Sequence, residues 1–207
     1  MTPTISVSFA FSHVTNIREE LPSVPGVCTT WLKNLKVGHS VHIYRRKNDS
    51  FKPYLDDGLI MIGAGTGVAP YVGFLDHMKE SGNSNIPTLL ITGNRYNHLD
   101  SIYGDLFTEH AQQGGVLTHY RTAHSRDGGN ECKYVQDVLS RDAVQIVSWL
   151  NNNARVYVCG DAKGLGVAVF NTFKTILCEL KNITEQESLR ILSDMKKNKR
   201  YCEDIWS

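Results

Sequence analysis

The sequence predicts an open, doubly wound α/β sheet of parallel strands from residue 57 onward, preceded by a shorter β-rich segment. Short, almost uninterrupted apolar runs alternate there with longer segments of helical periodicity. A strand that is apolar on both faces belongs to a sheet covered on both sides. A glycine-rich turn at 63–67 sits directly after the first of these strands and directly before an amphipathic stretch, where such sheets bind their ligands.

In chain order, Thr4–Phe11 (TISVSFAF) alternates small polar with apolar residues and reads as a strand, and His39–Arg46 (HSVHIYRR) reads as a second. Two strands and one short helix cannot close a barrel or bury two faces unaided, so residues 1–56 are expected either to lean on the remainder or to be the end of something larger. Strands are then expected at 59–63 (LIMIG), 88–93 (TLLITG), 116–122 (VLTHYRT) and 155–160 (RVYVCG). Helices are expected at 71–80, 105–113, 134–150 (as two), 165–181 and 185–197. The final RYCEDIWS, with its penultimate tryptophan, reads as a tail packed on the surface.

Composition excludes several classes of function. The 207 residues carry 22 Lys plus Arg against 21 Asp plus Glu, leaving no basic surplus for a nucleic-acid backbone and no charged tail for a membrane surface. The longest nearly apolar stretch, Leu59 to Leu75, is shorter than a membrane span and is broken by four glycines and a proline. The N-terminus lacks the basic region and cleavage site of a secretory signal. Five cysteines, an odd number with no CxxC pair, argue against a disulfide framework and point to the cytosol. Eight histidines without HExxH or Cys/His ligand spacing give no metal site, and no GxSxG elbow anchors a hydrolytic nucleophile.

The segment Gly63-Ala64-Gly65-Thr66-Gly67-Val68-Ala69-Pro70 carries the sharpest chemistry. Alternating glycines let the backbone approach a bulky anion, and the helix that follows offers free N–H groups to a phosphate. The third glycine departs from the Rossmann-like GxGxxG spacing, and a structural turn without ligand is the alternative reading. The second strand ends in Gly93-Asn94-Arg95, where a site for NAD would have a carboxylate for the ribose diol. After the third strand come Ser125, Arg126, Lys133, Tyr134 and Gln136, a set suited to a phosphomonoester beside an adenine. That favours NADP over NAD, against the plain reading of a solvated polar loop. Cys159, Gly160 and Asp161 end the fourth strand at the ligand-binding edge, although an unpaired cysteine is as often a small core hydrophobe.

Gly26-Val27-Cys28-Thr29-Thr30-Trp31, GTGVAP, SRD with KYVQD, YVCGDAK and the terminal DIWS together resemble the C-terminal part of the diflavin reductases in the ferredoxin–NADP reductase superfamily. The resemblance runs through nearly the whole chain. It implies that residues 1–56 are the C-terminal remnant of an antiparallel FAD-binding barrel and that residues 57–207 form the NADP(H)-binding domain. Gly26, Val27, Cys28 and Thr29 would hold the FAD phosphates, and Gly65, Thr66 and Gly67 the NADP pyrophosphate. Arg95, Ser125, Arg126, Lys133, Tyr134 and Gln136 would line the pyrophosphate and adenosine 2′-phosphate pocket, and Asp161 would also be cofactor-binding. Cys159 and Asp204 would flank the nicotinamide, and Trp206 would stack on the flavin. The implied chemistry passes hydride from NADPH to FAD, then electrons to FMN in a domain or flavodoxin-like partner outside this chain. The implied final acceptor is methionine synthase, with a cytochrome P450 system as the alternative. Departures from the family pattern are the missing RxYS strand, Gly164-Leu165-Gly166-Val167 after CGDAK, Asn94 in place of cysteine, and Ala64 in place of proline or cysteine. They leave open a second reading, a nucleotide-binding module without flavin or turnover.

Overall fold

The structure, a computed structural model, describes residues 27–42, 44, 48–83, 85–128 and 131–206. The chain forms two compact units, residues 1–47 and 48–207. In the first, helix α1 spans Val27–Lys33 and ends on Lys33, a cation suited to its terminal carbonyls. The strand expected at 4–11 lies outside the described residues. Of the one expected at 39–46, residues 39–42 and 44 carry no regular structure and the remainder lie outside the described residues.

The second unit is a five-stranded sheet. Its elements run β1 (Leu59–Ala64), α2 (Ala69–Glu80), β2 (Thr88–Asn94), α3 (Gly104–His110), β3 (His119–His124), α4 (Val135–Arg141), α5 (Ala143–Asn151), β4 (Arg155–Asp161), α6 (Val167–Lys181), α7 (Glu185–Lys197) and β5 (Tyr201–Trp206). The spatial order is β3-β2-β1-β4-β5, with every pairing parallel. The strand order reverses between β1 and β4, which creates a crevice at their carboxyl ends.

Alternation along each strand builds two cores. Ile60 and Ile62 of β1 face a layer of α4–α7 with Val156, Val158, Phe173 and Leu177, whereas Leu59 and Met61 face α2 and α3 with Tyr71, Phe107 and Tyr157. Burying one such aliphatic side chain contributes about 1.5–3 kcal/mol, so both layers hold the sheet. Phe51 joins the second core, 5.6 Å in ring centroids from both Phe74 and Tyr157. The Tyr157 hydroxyl donates to the Lys52 carbonyl at 3.0 Å and accepts from the Tyr54 N–H at 3.1 Å, fastening the segment before β1 onto β4.

Several expectations shift: α2 begins two residues early, at Ala69, and α3 ends at His110, three short of the expected 113. The third strand begins at His119 because Val116 and Leu117 serve the connector instead: Thr88 Oγ1 donates to the Val116 carbonyl at 2.6 Å, and Leu117 N–H to the His110 carbonyl at 2.9 Å. A turn at Ala162–Gly166 precedes α6, so that helix starts two residues later than expected. The expected tail is a strand. Tyr201–Trp206 pairs with β4 over six positions, and Lys196 binds Glu203 at 2.6 Å while lying 5.1 Å over the Tyr201 ring. No described helix is long and apolar enough to cross a membrane.

Candidate functional site

Because every strand runs the same way, their carboxyl ends at Ala64, Asn94, His124, Asp161 and Trp206 line one edge. Thr66, Arg95, Ser125, Arg126, Cys159, Asp161 and Trp206 all lie at or just beyond that edge.

The glycine turn divides its labour. Gly67 is buried, and a Cβ there would stand 2.1 Å from the Cys159 carbonyl oxygen, so this glycine lets the turn seat against β4. Gly65 has φ +55° with nothing near its missing Cβ. It is exposed, so its backbone is the open part of the turn. Tyr71, at the start of α2, braces the crevice from beneath: its hydroxyl lies 2.7 Å from the Ile62 carbonyl and 3.0 Å from the Tyr157 carbonyl. Burial pushes that phenol well above its ordinary pKa, so it remains a donor.

The loops after β2 and β3 continue the ladder past the strands. Ser125 N–H donates to the Asn94 carbonyl at 3.0 Å and Arg126 N–H to the Arg95 carbonyl at 2.8 Å. Asp100 accepts from Arg95 N–H at 3.1 Å and from Tyr96 N–H at 2.7 Å, and Asp127 accepts from Asn97 N–H at 2.7 Å. The chain then returns to the edge, where the Cys132 carbonyl accepts from His124 N–H at 3.2 Å and sets Lys133 and Tyr134 beside β3. Asp137 accepts from both Lys133 and Tyr134 N–H at 2.9 and 2.8 Å, fixing the start of α4. Gln136 is half-buried in that first turn, and the Tyr134 ring is exposed.

The rim is therefore electrostatically sorted. Its carboxylates at 100, 127 and 137 are occupied with backbone N–H groups, whereas Arg95, Arg126 and Lys133 make no ion pair among the described residues. Free guanidinium and ammonium groups suit a phosphomonoester. Asp161 instead caps the turn after β4 by accepting from Gly164 N–H.

On the other side of the crevice Cys159 pairs in register with Asp204 and Asp161 with Trp206. Burial pushes the Cys159 thiol up to about 12, with the Asp204 charge adding to it. It therefore remains a neutral thiol rather than a nucleophile. The Trp206 ring is half exposed at the end of β5. An anion grip, an open glycine backbone and a thiol–carboxylate pair on one edge fit a nicotinamide dinucleotide. Gly26 lies outside the described residues, as does the side chain of Thr29; Val27 and Cys28 are exposed in the first turn of α1. Sequence reasoning missed Asp100, Asp127 and Tyr71. SRD held the second of these in plain view, but an acid that serves backbone N–H groups leaves no signature in spacing.

Residues 61–169 match the family described as the oxidoreductase NAD-binding domain. The chain is 34% identical over 216 residues to methionine synthase reductase of Rattus norvegicus, covering 88% of this chain and 30% of that protein. It is 32% identical over 215 residues to the Homo sapiens protein of the same name, with 88% and 30% covered. To NADPH–cytochrome P450 reductase of Saccharomyces cerevisiae it is 33% identical over 240 residues, with 94% and 34% covered. The chain spans about a third of the length of these curated relatives.

Proposed function

This chain belongs to the oxidoreductase NAD-binding domain family, in its ferredoxin–NADP reductase form, and from that premise we propose that it is the NADPH-binding, hydride-transferring module of a diflavin reductase of the methionine synthase reductase kind. The observation that carries the proposal is the common edge. Cys159, Asp204 and Trp206 stand on one side of the crevice, and Arg95, Arg126 and Lys133, which form no ion pair among the described residues, on the other.

In this reading Arg126, Lys133 and Ser125 hold the 2′-phosphate, and the exposed Tyr134 ring lies against the adenine with Gln136 beside it. Arg95, Gly65 and Thr66 hold the pyrophosphate, close to the buried Gly67 and to Asp161. Asp204 opposes the positive charge that develops on the pyridine ring as hydride leaves. The neutral Cys159 thiol fills the floor beside it without competing for the ring. The exposed Trp206 would be the residue to stack on the flavin and to give way to the nicotinamide. Residues 26–29 of the preceding segment would hold FAD, which would supply a two-electron acceptor for the hydride able to release electrons one at a time. Onward transfer runs to FMN in a separate domain or flavodoxin-like partner, and then to methionine synthase in the cytosol.

Calorimetric titration of the purified chain with NADPH and NADH, with a visible spectrum of the same sample, tests the proposal. Expected are at least roughly tenfold tighter NADPH binding, as for one charge-assisted contact to the extra phosphate, and a flavin band once FAD is supplied. Equal affinities overturn the nucleotide reading. NADPH preference with no flavin retained leaves a nucleotide-binding module without turnover.

A further inference from the structure

Arg95 and Arg126 lie on different loops, yet they meet through the Arg126 N–H to Arg95 carbonyl hydrogen bond at 2.8 Å. Neither loop reaches this position by strand pairing, since β2 and β3 end at Asn94 and His124. What lies beyond is held by two carboxylates. Asp100 closes the β2 loop on itself, one oxygen 3.1 Å from Arg95 N–H and the other 2.7 Å from Tyr96 N–H, with the Asn94 amide 3.5 Å away. Asp127 crosses from the β3 loop to the β2 loop and accepts from Asn97 N–H at 2.7 Å.

We infer that Asp100 and Asp127 are positioning residues that set the preference for a phosphorylated nucleotide, Asp100 by folding the β2 loop on itself and Asp127 by tying that loop to the β3 loop, so that the two make one bed for the Arg95–Arg126 pair. The inference rests on the nucleotide reading above. A negative charge near an anion site weakens that site, so the presence of two acids there calls for a role other than charge. Each carboxylate is turned to backbone donors, which discharges part of its field while the loop geometry is gained. Without the carboxylates only the main-chain bonds at Asn94 and Arg95 would join the loops, and two exposed arginines on less firmly held loops bind a dianion more weakly because more ordering is left to the moment of binding.

The two carboxylates differ in what can replace them. Asp127 uses one oxygen on one N–H, which an amide oxygen also satisfies; Asp100 uses both oxygens, and an amide supplies only one acceptor. Asp127→Asn should therefore keep the clasp while removing the charge, and Asp127→Ala should lose the clasp. Expected by calorimetry is unchanged or tighter NADPH binding for Asp127→Asn, and roughly fivefold weaker NADPH binding for Asp127→Ala with NADH affinity held, the scale of one lost hydrogen bond. Asp100→Asn and Asp100→Ala should both weaken NADPH. In an Arg95→Ala, Arg126→Ala background, Asp127→Ala should change nothing further. Tighter NADPH binding by both Asp127 variants would show that the acid acts by charge alone and would overturn the inference, as would equal loss of NADPH and NADH. A wild-type chain with no NADPH preference overturns the nucleotide reading instead.

Discussion

Cys159 and Asp204 stand opposite one another in the register of β4 and β5, at the last turn of the sheet before the crevice. The pairing depends on β5 being a strand, since only an extended segment parallel to β4 carries Asp204 and Trp206 to the same edge as the glycine turn. Lys196 secures that strand from α7, gripping Glu203 and covering Tyr201. The carboxylate raises the cost of ionising the thiol, and burial raises it further. The pair therefore carries no thiolate beside the Asp204 charge.

Asp204→Asn removes that charge and leaves the strand in place. In a flavin-loaded protein, stopped-flow reduction by NADPH should slow roughly tenfold or more, as when one stabilising group at a developing charge is lost. NADPH affinity should stay within about twofold. A parallel loss of affinity would mean that Asp204 supports binding and not the chemical step.

Arg126→Ala takes away one of the three cations at the other side of the edge. NADPH should bind more weakly by about 1–3 kcal/mol, the lower part of that range being expected for an exposed site, and NADH should be nearly unaffected. Equal weakening of both nucleotides would move Arg126 from the 2′-phosphate to the shared part of the molecule.

Much of this architecture was legible because apolar periodicity reports burial directly. LIMIG and TLLITG hold no charged residue, and both lie in the sheet with a helix layer on each face. Glu185–Lys197 is bounded as read, since Thr184 and Glu187 form a reciprocal cap at its start. The edge strand was illegible for a physical reason. Tyr201 and Cys202 enter opposite cores while Glu203 and Asp204 remain half exposed, so neither alternation nor a continuous apolar run appears, and beyond those first two side chains the strand is held by ladder bonds and one lysine. The site splits in the same way. The bases and the glycines announced themselves by type, whereas Asp100 and Asp127 act on main-chain groups that the sequence does not display.

Two glycines of the turn should respond differently to alanine. At Gly67 the new Cβ would collide with the Cys159 carbonyl, which is main chain and cannot swing away; a loss of about 2–4 kcal/mol in urea unfolding is expected. At Gly65 there is space, and only the positive φ is strained, at about 1–2 kcal/mol. Gly65→Ala should nonetheless weaken nucleotide binding, because the added methyl occupies the open face. Equal stability of the two variants would contradict the packing described for Gly67.

Alkaline pH gives a test that needs no ligand. The Cys159 thiol is pushed from 9.0 up to about 12 in the folded chain, and the Cys202 thiol is pushed up as well, chiefly by burial. The folded state thus holds protons that the unfolded chain releases near pH 9, so the stability these thiols contribute is complete below pH 9 and is lost as pH rises toward 12. Tyr71, Tyr157 and Tyr201 are also shifted upward, but they start from 10.0 and act later with the same sign. Between pH 8 and 10 the wild type should therefore lose roughly 1 kcal/mol more than Cys159→Ala in urea unfolding, the slope being the readout whatever the variant's own stability. At pH 7.5 the same burial should leave Cys159 and Cys202 unmodified by iodoacetamide in the native chain while the exposed Cys28 reacts. Rapid alkylation of Cys159, or identical pH slopes for the two proteins, would mean that the thiol is open to solvent and not the buried floor of the crevice.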